Sequence, residues 1–155
     1  MPSISITLET LPDLPSLESI WRSLAARAEH SVFQSWPWVR CWLDTPGVAP
    51  ALLIARDGDA VVGLGLIQES IQNRRLMRIP TLYLQETGDP GIDSLFIEYN
   101  DFLTDRACSD VVVAACLDFL VTLPRGWREL RLSGVSDTFN AYTEQAAANC
   151  QIRRA

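Results

Sequence analysis

Polar and apolar positions alternate from Ser3 to Leu8, with Ile4, Ile6 and Leu8 on one side, which predicts a half-buried strand. Pro12 and Pro15 close a short loop, and Ser16 is placed to cap a helix. Leu17, Ile20, Trp21, Leu24 and Ala28 then fall at helical spacing, so this helix is expected to run to about Glu29. Ser35 reads as the N-cap of a second, short helix, with Pro37 in its first turn, where the missing N–H costs nothing. Trp38, Trp42 and Leu43 are expected to face inward from it, Trp36 to pack on the linker before it, and Pro46-Gly47 to follow its end.

The next pattern is a hairpin. Ala51 to Arg56 and Ala60 to Ile71 read as strands joined by Asp57-Gly58-Asp59, which supplies the positive-φ residue of a tight turn. Asn73-Arg74-Arg75 makes a second turn, and Leu76 to Leu84 a third strand, expected to be interrupted at Pro80. Thr87-Gly88-Asp89-Pro90-Gly91 is a loop, and Ser94 to Ile97 is expected to be extended. Asp105 to Leu123 predicts the longest helix, apolar on most sides and so the most buried, ended by Pro124-Arg125-Gly126. Glu129 to Leu132 alternates as a strand. Ser136 or Asp137 caps a last helix, with Phe139, Tyr142 and Ala146 on one face. Gln151-Ile152-Arg153-Arg154 looks like a strand beginning, so the 155 residues read as one α+β domain forming the front half of a larger protein.

Composition narrows the chemistry. The net charge is −6, and an acidic chain without a basic run is an unlikely partner for nucleic acid. All 13 basic residues are Arg, so neither a Schiff-base lysine nor a P-loop lysine is available. MPSISITLET lacks the charged and apolar regions of a signal peptide. The longest apolar stretch, Val111 to Leu123, is interrupted by Asp118 and falls short of the ~20 residues that span a bilayer. Cys41, Cys108, Cys116 and Cys150 form no CxxC pair and the chain has a single His, so no zinc spacing is present. Free thiols in a reducing, cytoplasmic setting are the simpler reading.

The order strand, helix, helix, hairpin, strand, helix, strand, helix resembles GNAT-type acyltransferase folds, with a central, mostly antiparallel sheet flanked by helices on both faces. Phe33-Gln34-Ser35-Trp36-Pro37-Trp38, followed by Trp42, resembles the opening of the CelD-type acetyltransferases of cellulose biosynthesis, bacterial relatives of the FemAB transferases. Asp57-Gly58 with Val61-Val62-Gly63, the run Ile97-Glu98-Tyr99-Asn100-Asp101-Phe102-Leu103, and Trp127 to Leu132 are similar to that family too. The resemblance implies a protein of two GNAT-like halves, of which this is the first. It implies acetyl-CoA or another acyl-CoA as co-substrate, bound by the missing C-terminal domain, and no metal. An amine or hydroxyl, on a sugar or other small molecule, would attack the thioester while a backbone N–H stabilises the oxyanion. This half would form one wall of the acceptor cleft, and an orphaned half would self-associate through its unpaired face.

A GNAT site cradles pyrophosphate on a Gln/Arg-x-x-Gly-x-Gly/Ala turn that opens a helix, and neither Asp105 nor Asp137 follows such a turn. Gly63-Leu64-Gly65 lies in a strand and reads as a bulge or close packing. Asp89, Asp93, Glu98 and Asp101 cluster after the third strand. Flanked by Ile97, Tyr99 and Phe102, Glu98 and Asn100 are expected to be buried, which makes Glu98 a candidate general base. Asp93 and Asn100 are candidate acceptor contacts, Tyr99 is a candidate proton donor or else a core aromatic, and turn and cap chemistry on a solvated loop is the competing reading. Trp36 and Trp38 are candidates for an aromatic platform under a sugar or acyl group, or else core. His30 reads as a helix C-cap, and Arg74, Arg75 and Arg78 as an anion contact or a solvated hairpin end. The non-enzyme alternative is a degenerate GNAT-like module that binds a partner without catalysis.

Overall fold

The computed structural model of the chain describes residues 3–94, 97–123 and 126–149. Strand β1 (Ile4–Thr10) leads into helix α1 (Leu14–Ala25), a single 3₁₀ turn (Val32–Gln34) and helix α2 (Trp36–Leu43). A meander follows, β2 (Ala51–Asp57), β3 (Ala60–Arg74) and β4 (Met77–Leu84), then the two-residue strand β5 (Leu103–Thr104), helix α3 (Ser109–Thr122), β6 (Glu129–Arg131) and helix α4 (Asp137–Asn149). The strands order β1-β2-β3-β4-β6, antiparallel except for β4 beside β6, with β5 on β3. The α+β class and the mostly antiparallel central sheet are as the sequence predicts.

The pleat divides the apolar residues between two cores. Leu52, Ile54, Leu64, Leu66 and Leu103 meet Leu17, Trp21 and Leu24 of α1 and Trp36 and Val39 of α2. Leu53, Ala55, Val62, Leu82, Leu84 and Phe102 meet Val112, Val113, Cys116, Leu117 and Leu120 of α3 and Phe139 and Ala146 of α4. Helices therefore cover both faces. Burying each large side chain in these layers contributes about 1.5–3 kcal/mol.

Several local expectations are corrected. Asp13, not Ser16, caps α1: its carboxylate accepts from the Ser16 N–H at 3.0 Å and from the Ser16 hydroxyl at 2.8 Å. That places Pro15 inside the first turn, and the helix stops at Ala25 rather than near Glu29. Ser35 does precede α2, and Trp42 and Leu43 pack half-buried against the core as expected, but its buried residues are Trp36 and Val39, while Trp38 stands against Phe33 instead. Pro80 does not interrupt β4, because its carbonyl still accepts from the Arg128 N–H at 2.8 Å and it pairs with Ile71. The helix expected from Asp105 begins at Ser109. Leu103 and Thr104 are drawn onto β3, and Asp105 is held by Arg27 at 2.8 Å. Helix α3 is buried on one side and exposes Val111 and Asp118 on the other. Part of the Ser94–Ile97 segment, the Pro124-Arg125 stop, Cys150 and the Gln151–Arg154 segment lie outside the described residues.

Along one edge of β3 the neighbour changes. β4 pairs with it from Ile67 to Arg74, and β5 takes over at Gly63 and Leu64. The chain leaves that edge at Gln85, whose φ of 49° turns it out of the strand, and returns at Phe102. Asn100, fully buried, holds the excursion down. Its amide donates to the Leu84 carbonyl at 2.8 Å, its side-chain oxygen accepts from Gln85 Nε2 at 2.9 Å, and its N–H donates to the Gly134 carbonyl at 2.9 Å. Asp101 adds two ties: its carbonyl accepts from Gln34 Nε2, and its carboxylate accepts from the Ser136 N–H.

Gly63 and Gly65 serve close packing. A Cβ on Gly63 would lie 2.5 Å from Val112, and one on Gly65 would lie 2.7 Å from Phe102. Gly63→Ala and Gly65→Ala are each expected to lower stability by about 1–3 kcal/mol through overpacking, read as a shift in the urea midpoint at unchanged slope.

Candidate functional site

The parallel pair β4–β6 positions the site. In its register Thr81, Leu82 and Tyr83 face Glu129, Leu130 and Arg131. Alternation sends the leucines to the α3–α4 core and Thr81, Tyr83, Glu129 and Arg131 to the other face. The face that is apolar under α1 and α2 is thus polar where these two strands end.

The segment from Gln85 to Ser94 crosses that polar face. Gly88, at φ +76°, sits so close above Tyr83 that a Cβ would come within 2.5 Å of the ring carbon bearing the hydroxyl. Gln72 Nε2 donates to the Gly88 carbonyl at 3.3 Å. Asp93 ties the loop into a compact turn, accepting from the Thr87 N–H and hydroxyl at 3.0 Å each and from the Gly88 N–H at 2.6 Å. The far end of the loop meets α2. There Trp38, Cys41, Trp42 and Thr45 face Ile92, Asp93 and Ile97 across a groove of about 160 Å³.

Glu86, between this loop and the end of β6, is the perturbed carboxylate of the region. Burial pushes its pKa up; the Ser133 hydroxyl, which donates to it, pulls the other way, Asp93 adds to the rise and Arg131 opposes it. A carboxyl raised in this manner can take a proton at neutral pH more readily than a solvated one. Nearby, the Tyr83 hydroxyl is buried without a hydrogen-bond partner among the described residues, although Tyr83 is 3% exposed. A lone buried hydroxyl is a group that a ligand can satisfy.

The residues singled out from sequence are dispersed. Trp38 and Asp93 line the groove. Trp38 stands edge-on to Phe33, ring centroids 4.8 Å apart. Asp93 already spends both carboxylate oxygens on the loop. Trp36 is core, and Asn100 is the buried tie already described. Glu98 and Tyr99 are exposed, against the burial expected for Glu98, with Tyr99 at φ 53°; their neighbour Ile97 is the one that reaches the groove. Asp89 accepts from the Gly91 N–H, which is turn chemistry. His30 caps no helix, since α1 ends five residues earlier, and its Nδ1 lies 3.0 Å from the Ser31 carbonyl. Arg74 makes a two-point ion pair with Glu129 at 2.8 and 2.9 Å.

Both later helix starts carry negative charge. Asp110 is in the first turn of α3, just after Asp105 has taken the Ala107 N–H. At α4, Ser136 accepts from the Phe139 N–H, Asp101 takes the Ser136 N–H, and Asp137 begins the helix. These carboxylates favour the helix dipole and repel an anion. Among the described residues no group of His, Cys, Asp and Glu could hold a metal ion, and no helix is long and apolar enough to cross a membrane.

Sequence reasoning missed Glu86 and Tyr83. The available signal was a carboxylate two residues beyond the end of a strand whose last four residues are apolar or aromatic apart from Thr81. Because the folded pKa of Glu86 is raised, its protonated form favours the folded state. Whatever stability that adds is present below the ordinary carboxylate range and is lost as pH rises through the folded value. Glu86→Gln cannot ionise. Its melting temperature is therefore expected to rise relative to wild type as pH goes from about 4 to about 8, measured by thermal melts in matched buffers.

No family model matches the chain, and no curated protein matches it. Among solved structures, an aminoglycoside acetyltransferase from an uncultured soil metagenomic sample, in complex with trehalose, is 12% identical. That comparison covers 98% of this chain and 92% of that one, at a TM-score of 0.49. The same enzyme in complex with sisomicin is 12% identical over the same shares of the two chains, at a TM-score of 0.47.

Proposed function

We propose that this chain is the acceptor-side module of an acyl-CoA-dependent acyltransferase of GNAT type, with Glu86 as the proton acceptor. The observation that carries the reading is Glu86 itself, a half-buried carboxylate at the end of the parallel strand pair, hydrogen-bonded to Ser133 and raised by burial, with an unpartnered Tyr83 hydroxyl under Gly88 of the same loop. The order of elements, with two helices before the meander and a helix and strand after it, supports the GNAT-like assignment. The segments Phe33–Trp38 and Ile97–Leu103 support the CelD-type, FemAB-related assignment and with it a bacterial origin. The three cysteines among the described residues, all free thiols, fit a cytoplasmic setting.

In this reading the body of the acceptor lies along Trp38 and Trp42, and its amine or hydroxyl points toward Glu86. As the nucleophile attacks the acyl thioester carbon, Glu86 takes its proton; the tetrahedral intermediate collapses and expels the thiolate of CoA, which is protonated by solvent. The acidic starts of α3 and α4 leave the pyrophosphate of CoA to a second, C-terminal GNAT-like domain. The same two helix starts support the alternative, a module that binds without catalysis.

Thermal-shift titrations separate the readings. Primary amines and amino sugars are expected to stabilise the chain, and Glu86→Gln to abolish the shift. Tyr83→Phe is expected to fold with stability within about 0.5 kcal/mol of wild type, since its hydroxyl has no partner to lose, yet to weaken the amine effect. Stabilisation by acetyl-CoA alone would overturn the assignment of the donor to another domain. Indifference to every amine would leave the non-catalytic module.

A further inference from the structure

The β3–β4 hairpin outruns the rest of the sheet. β2 pairs with β3 only as far as Ile67, and β6 pairs with β4 at Thr81, Leu82 and Tyr83. The segment from Gln72 to Ile79 is backbone-paired only to itself among the described residues. Its tip is apolar and bare: Leu76 is fully exposed, Met77 62% and Ile71 47%. Each of these has an arginine beside it. The register puts Met77 opposite Arg74 and puts Arg78 on the face of Ile71, while Arg75, at φ 51°, adjoins Leu76 in the turn. Glu129 occupies Arg74; Arg75 and Arg78 have no ion pair among the described residues.

The charge distribution indicates what covers this tip. Ile71 to Ile79 carries three arginines and no carboxylate, a local +3; the remaining ten arginines face nineteen carboxylates, a net −9. The tip is thus complementary to the rest of its own sequence. Leu76 is left bare by its own fold, so an apolar contact for it has to come from another molecule. The chain also holds a fitting receptor. The groove between Trp38, Trp42, Ile92 and Ile97 is apolar and has room for a leucine side chain, and the exposed carboxylates Asp89 and Glu98 belong to the segments that line it.

We propose that the hairpin tip docks into this groove on a second copy of the chain, with Leu76 between the tryptophans and Arg75 and Arg78 facing Asp89 and Glu98. Reciprocal exchange of the two tips closes a two-fold dimer. The arginines steer the encounter and make it salt-sensitive, and the apolar tip supplies the burial. The docked tip occupies the groove assigned above to the acceptor, so association masks that surface. The assignment stands on the hairpin and the groove alone and does not depend on the acyl-transfer reading.

Sedimentation velocity on the full chain tests it, from micromolar to millimolar concentration and at low and high salt. A monomer–dimer equilibrium that weakens with salt is expected. Leu76→Asp, the Arg75→Glu/Arg78→Glu pair, and Cys41→Arg in the groove should each shift it toward monomer by about tenfold or more. All four positions are exposed, and unchanged melting temperatures confirm that the variants fold. A monomer at every concentration, or a dimer indifferent to Leu76→Asp, overturns the proposal. Co-sedimentation of a monomeric chain with anionic lipid vesicles, lost in Leu76→Asp, overturns it in favour of a membrane contact.

Discussion

The buried side-chain amide of Asn100 is the constraint on which the end of the molecule that carries Glu86 depends. It reaches Leu84 and Gln85 at the end of β4, while its own N–H reaches Gly134 beyond β6. Those are the places from which Glu86 and Ser133 project. A buried amide left with unmet donors or acceptors costs about 1–3 kcal/mol per group, so the three bonds stand or fall together. Asp101 extends the tie through Gln34, whose carbonyl accepts from the Trp21 indole at 2.8 Å, and through Ser136 at the start of α4. One dipeptide thereby connects the first helical layer to the last helix.

This arrangement divides the sheet by chemistry as well as by geometry. Over β2 and β3 both faces are apolar and each is roofed by two helices. At β4 and β6 one face turns polar, and a loop takes the place of a helix. A loop roof leaves a carboxylate, Glu86, desolvated enough to have its pKa raised, and the same loop carries Asp93, which lines the groove against α2. The carboxylates at the starts of α3 and α4 complement those helix dipoles from within the chain and repel a phosphate there.

Local pattern made much of this legible. The alternation in β1, the Asp57-Gly58 turn and the Ser35-Pro37 helix start each depend on neighbours within a few residues, and each appears where its pattern places it. The phase of α2 was not legible. An eight-residue helix with three tryptophans offers several apolar faces, and the choice of Trp36 and Val39 depends on Leu52 and Leu64 in distant strands. Strand β5 was hidden because two residues carry no periodicity; it exists because β4 vacates the β3 edge. Glu86 was hidden because its partner Ser133 is 47 residues away. Asn100 stood out as part of a motif, but its role rests on bonds that span 15 residues or more.

The same tie has a consequence for the order in which the molecule assembles. The β2–β3–β4 meander closes through short loops and can form early, with α1 settling on it. The Asn100 tie cannot: residues 85, 100 and 134 must converge after α3 has brought the chain back to β6. The region around Glu86 therefore rests on contacts of longer sequence separation than those of the meander. Closing that end of the sheet is thus a non-local step laid on a locally folded scaffold.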